Sequence, residues 1–184
     1  RLTANRTIES FYKWSGGGRI PIFCDTTSCT HTLLFETGGD ILTPENREKY
    51  KQLKIMDITQ WLKEVVLPRI KVIRPKNRIL LHPTCSCQIM GLTPVLLDIA
   101  RKCAREVILP DNWGCCGASG DRGFIFPELS DSATRDERDE IGHESFDGCY
   151  SLARTCEIAM QDHIEQPYES IVYLVDETIQ DQGT

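Results

Sequence analysis

Short apolar runs alternate with helix-forming stretches along this chain, and nothing else in it restricts the fold so strongly. Residues 20–25, 53–57, 79–82, 106–109, 148–153 and 170–175 read as strands, each only a few residues long. Helices are expected over 2–14, 29–36, 44–50, 59–66, 92–104, 127–140 and 156–164, with 127–140 an exposed helix of mixed charge. A strand followed by a helix, repeated, leads to an α/β fold: a mostly parallel sheet with helices on both faces. In such sheets ligands collect at the loops beyond the carboxyl ends of the strands.

Cysteines occupy those loops. The chain of 184 residues holds nine cysteines, at positions 24, 29, 85, 87, 103, 115, 116, 149 and 156. Cys85 follows the third strand in His82-Pro83-Thr84-Cys85, and Cys115 and Cys116 follow the fourth in Trp113-Gly114-Cys115-Cys116-Gly117. Cys156 follows the fifth, at the start of a helix, where the dipole and free N–H groups favour a thiolate. Pro83 stiffens the first loop. Gly114 and Gly117 permit the unusual backbone that would aim two adjacent thiols at one centre. Three separate loops can therefore bring four thiols together, which is how iron–sulfur clusters are commonly held.

The other candidates rank below these four. Cys103 falls on the apolar face of a helix and is expected in the core, and Cys24 and Cys149 are expected as inward strand residues. Cys87 stands two residues from Cys85 and could exchange roles with it. His82 is expected to hydrogen-bond near a cluster sulfur. The glycines at 117, 120 and 123 fit neither a phosphate loop nor a dinucleotide fingerprint, so backbone wrapped around an inorganic cluster accounts for them better. Arg122 either supplies positive charge there or pairs with Asp121.

Composition removes several functions. Formal net charge is −6, which argues against a nucleic-acid surface. No apolar run approaches the roughly 20 residues that cross a bilayer, and no secretory start is visible. A reducing compartment is therefore expected, where cysteines read as metal-binding or redox-active before they read as disulfides. The chain opens on Arg1 and runs directly into a helical stretch, as a segment of a longer polypeptide would. There is also an internal echo. Cys24 to Cys29, then a helix, then Asp57-Ile58-Thr59 parallels Ser151 to Cys156, then a helix, then Asp176-Glu177-Thr178. The order suggests two related modules: residues 1–68 as the closing half of one, and 69–184 as a second, complete one.

These residues resemble a known family. Cys85, Cys115-Cys116-Gly117 and Cys156 are similar to the cysteine-rich "CCG" domain found in heterodisulfide reductase, the glycolate oxidase iron–sulfur subunit and lactate-utilisation proteins. His82 to Cys87, Trp113 to Phe124, Arg154 to Glu157 and Ser170 to Leu174 resemble the carboxy-terminal part of bacterial FAD-linked D-2-hydroxyacid dehydrogenases of the D-lactate or D-2-hydroxyglutarate type. The resemblance implies a 4Fe-4S cluster on Cys85, Cys115, Cys116 and Cys156, with His82, Gly117 and Arg122 beside it. Cys29 would be the closing ligand of the first module. It further implies FAD in an upstream domain of the same polypeptide and a quinone or cytochrome-type electron acceptor. The location would be cytoplasmic or peripheral on the inner membrane. Ala153 stands where the family's second closing cysteine would be, and Thr26 stands at the matching place in the first module. That favours an ordinary cubane over a five-cysteine arrangement. The chain alone is expected not to turn over substrate.

Two rivals use the same thiols. A structural zinc module would normally carry Cys-X-X-Cys knuckles, which are absent here. A thiol–disulfide enzyme built on Cys115 and Cys116 would have to close a small strained ring between adjacent residues, with no partner base in view.

Overall fold

The computed structural model describes residues 1–179. The elements run α1 (Leu2–Trp14), β1 (Ile22–Cys24), α2 (Thr27–His31), α3 (Pro44–Gln52), β2 (Ile55–Asp57) and α4 (Ile58–Trp61) in the first part of the chain. There follow β3 (Lys76–Leu81), α5 (Cys85–Ile89), α6 (Thr93–Cys103), β4 (Ala104–Ile108), α7 (Arg122–Ile125) and α8 (Pro127–Ile141). The chain continues with β5 (Gly148–Ser151), α9 (Arg154–Ile164), β6 (Tyr168–Ser170) and α10 (Ile171–Thr178). Both sheets are parallel throughout, one of two strands in the order β1-β2 and one of four in the order β4-β3-β5-β6. The α/β expectation is met.

The middle of the larger sheet is decided by β3. Ile79, Leu80 and Leu81 are all fully buried, so this strand must be covered on both faces. Ile79 and Leu81 pack on one side with Tyr150 of β5, Leu96 and Ile99 of α6, and Leu174 of α10. Leu80 points the other way, into Cys149, Tyr168, Ile141 of α8 and Met160 of α9. Period-two alternation along one strand thus feeds two cores and puts helices on both faces. From β3 the chain crosses to β4 on one side, and β5 then pairs on the other. The order reverses between β3 and β5, which makes the carboxyl ends of these strands a topological switch point.

Several element boundaries differ from expectation, each for a local reason. The run at 170–175 is helix, not strand. Ser170 Oγ accepts from Val172 N at 3.4 Å and caps α10, whose buried residues Ile171, Leu174, Val175 and Thr178 follow helical spacing. The strand is the preceding triplet, Tyr168–Ser170. Helix α8 lies at its expected place, yet it is not simply exposed: Ser130, Thr134, Glu137 and Ile141 form a buried stripe. The short α5 is additional to the expected helices. Thr84 starts it by accepting from Cys87 N at 3.2 Å, so Cys85 opens a helix and does not merely end a turn. The helices at 29–36 and 59–66 both finish in a wider π-type winding, over Thr32–Glu36 and Leu62–Val66.

In both parts of the chain a strand and its parallel partner are followed by a helix capped from the partner strand's last residue: Asp57 on α4, Ser170 on α10. The first part carries two helices, α2 and α3, between its strands where the second carries α9 alone. The structural counterpart of Asp57 is therefore Ser170 and not Asp176. Cys29 and Cys156 are each the third residue of their helix. The two halves also share a core, because Ile58, Leu62 and Leu67 lie in the same cluster as Ile79, Leu96 and Tyr150. Residues 180–184 of the second module fall outside the described residues. Among the described residues no helix is long and apolar enough to cross a membrane.

Candidate metal centre

The loops after β3, β4 and β5 meet at the switch point, and they carry four thiols into contact. Cys116 Sγ lies 2.9 Å from Cys156 Sγ. Cys115 lies near enough to both Cys116 and Cys85 for each to influence its thiol, so the sulfurs run in the order Cys85, Cys115, Cys116, Cys156. Cys116 and Cys156 are buried in the core between the sheet and α8 and α9, whereas Cys85 and Cys115 are exposed. Among the described residues no three His, Cys, Asp or Glu side chains are disposed around one ion-sized point. The thiols touch in a row instead.

Each loop is held by identifiable contacts. His82 N donates to Tyr150 O at 2.9 Å and Ser151 Oγ donates to His82 O at 2.8 Å, which ties the β3 and β5 loops together beyond the strands. The β4 loop is anchored to α8, where the Glu140 carboxylate accepts from Asp111 N at 2.7 Å and Asn112 N at 2.8 Å. Gly117 N donates to Cys115 Sγ at 3.4 Å. Gly117 itself has φ of +74°, and a Cβ there would come 2.6 Å from Leu129 O. Its glycine is needed because α8 passes so close. Gly114 has neither a positive φ nor any neighbour within 4 Å of such a Cβ, so the expected symmetrical role of the two glycines is corrected.

Four close thiols cannot all ionise without a compensating cation. Cys115 is pushed well below the ordinary thiol range, first by hydrogen bonds from Cys116 and Cys85 and then by the Gly117 N–H, with His82 nearby. Cys85 and Cys116 are pushed up in turn, chiefly because they donate to Cys115, with burial adding to the effect. Within this trio Cys115 is the thiol most favoured to ionise.

The strongest feature missed in the sequence lies just behind. His82 and Glu137 are both buried, with His82 Nδ1 2.9 Å from Glu137 Oε2 and 3.2 Å from Oε1. Tyr168 meets the imidazole edge-on at 6.5 Å between ring centres. The only available signal is spacing, since Ser130, Thr134, Glu137 and Ile141 recur at helical intervals among charged neighbours.

The remaining candidates lie elsewhere. Cys87 is fully buried beside Thr93 Oγ1, at 4.0 Å, and burial pushes its thiol up to about 12. Cys85, not Cys87, joins the group. Cys103 and Cys149 are core residues, as expected. Cys24 is half-buried in β1, and Cys29 is exposed on α2 close enough to influence it, outside the four-thiol group. Arg122 is exposed at the start of α7 and makes no ion pair with Asp121 among the described residues.

Fold and site together define the class: an α/β protein with a four-thiol site at the carboxyl edge of a parallel sheet. No protein-family model matches the chain, and no curated protein matches it. The donor set is all sulfur, comes from three loops and is open to solvent on one side, which suits an iron–sulfur cluster.

Proposed function

We propose that this chain is the iron–sulfur electron-transfer part of a larger oxidoreductase, with Cys85, Cys115, Cys116 and Cys156 as ligands of a 4Fe-4S cluster. One observation carries the reading: thiols from three strand-end loops are in mutual contact at the switch point of a parallel sheet. A bound cluster would supply a one-electron store. The chain's own part is to hold it by two buried and two exposed sulfurs and to donate the Gly117 N–H toward Cys115 Sγ. The core around Cys116 and Cys156 keeps water from the inner side.

The resemblance of the Cys-Cys-Gly loop and its continuation extends the proposal to the parent protein. That parent would be an FAD-linked D-2-hydroxyacid dehydrogenase, passing electrons from the flavin to a quinone or cytochrome. It would be cytoplasmic or peripheral on the inner membrane. The test is anaerobic reconstitution with ferrous iron and sulfide, followed by visible absorption, EPR and metal analysis. About four iron atoms per chain and a reducible cluster signal are expected. A colourless protein with one zinc per chain would replace the proposal with the structural-zinc rival. Disulfide exchange with no metal uptake would favour the thiol–disulfide rival built on Cys115 and Cys116.

A further inference from the structure

A cavity of about 640 Å³ is lined by none of the four cysteines. Its walls follow the carboxyl ends of four strands: Asp25 comes after β1, Trp61 after β2, Arg154 after β5 and Tyr173 after β6. Such strand-end loops are where parallel sheets take ligands, and the size is that of a small-molecule cleft. Thr27 N donates to Leu152 O at 3.4 Å, which ties the β1 and β5 loops to each other.

Two properties of the walls limit what can enter. The first is aromatic surface. Phe23 and Trp61 stack with ring centres 4.7 Å apart and planes at 14°, and Tyr173 stands 56 % exposed. The second is charge. Asp25, Glu157 and Glu169 supply three carboxylates against the one guanidinium of Arg154. Arg154 Nη1 donates to Glu157 Oε2 at 3.1 Å, so that guanidinium is committed to a buried carboxylate. Asp25 and Glu169 enter no ion pair among the described residues, and they leave the cavity negative. Ring faces attract cations through their quadrupole, and the two carboxylates add Coulomb attraction while repelling anions. A bare metal ion is poorly served, because aromatic walls offer it no ligand atoms. A purely apolar guest gains nothing from the charge.

We infer that this cavity binds a small organic cation: an alkylated or planar nitrogen on an apolar body, set against Phe23, Trp61 and Tyr173 with Asp25 and Glu169 facing its charge. The site is separate from the thiol group, and its test does not bear on the iron–sulfur reading.

Three probes that share a phenyl ring test it on the full chain: phenyltrimethylammonium, the neutral 2-phenyl-2-propanol of similar shape, and benzoate. Calorimetry and tryptophan fluorescence should show saturable binding of phenyltrimethylammonium that weakens with added salt. The neutral probe should bind about tenfold more weakly or worse, and benzoate not at all. Tyr173→Ala should weaken the cation about 2- to 30-fold. Asp25→Asn combined with Glu169→Gln should remove most of the preference for the cation over the neutral probe. All three positions are exposed, so the urea midpoint should stay in place. Equal binding of the neutral probe, preference for benzoate, no binding at all, or a cation affinity untouched by these variants overturns the inference.

Discussion

Gly117 is the residue on which the shape of the thiol loop turns. Its φ of +74° belongs to the left-handed region, and a Cβ would stand 2.6 Å from Leu129 O and 2.7 Å from Ser130 Cα, both backbone atoms that cannot swing aside. Gly117→Ala is therefore expected to destabilise by about 1–3 kcal/mol and to reduce iron uptake, read by urea unfolding and metal analysis. Gly114→Ala meets no such obstacle and should leave both unchanged. A second comparison separates two cysteines that the sequence could not tell apart. Cys85→Ser should abolish a full iron complement, whereas Cys87→Ser should load normally. Cys87→Ser should still lose about 1–3 kcal/mol of stability, because it buries a hydroxyl in an apolar site.

Helix α8 acts as a brace. It meets Gly117 at its start, holds His82 through Glu137, and anchors the β4 loop through Glu140. The Glu140 carboxyl is held below the ordinary carboxylate range first by the Asn112 N–H and then by that of Asp111. Its folded value is thus lower than its unfolded one. The anchor's contribution is fully present above the unfolded value, about 4.3, and is lost as pH falls through the depressed one. The protection factors of the Asp111 and Asn112 amides should hold from neutral pH into the acid range and fall as pH drops through the depressed Glu140 value. In Glu140→Ala that protection should be low at every pH. The strand pattern is readable where burial is two-sided, as in Ile79 to Leu81. It fails at Ile171 to Val175, because a short apolar run suits a buried helix face equally well. The convergence of four thiols is legible because strand ends in a parallel sheet share one edge. Glu137 is not. Its partner lies 55 residues away in the chain, and its neighbours Ser130 and Thr134 carry no hydrophobic mark.

At the scale of the whole molecule the early and late parts of the chain are not independent. Ile58, Leu62 and Leu67 lie in the same core as Ile79, Leu96 and Leu174. Far-UV circular dichroism and tryptophan fluorescence should accordingly follow one coincident urea transition. A chain begun at residue 69 should lose about 1.5–3 kcal/mol for each of those three side chains and unfold at lower urea.

The sulfur group has a floor and a lip. Cys116 and Cys156 form the floor, recessed in the core, while Cys85 and Cys115 stand at the lip. A species arriving from solvent would meet the lip before the floor, and a departing one would leave by the same order. A reagent that caps the outer pair would shut the way in without ever touching the inner one.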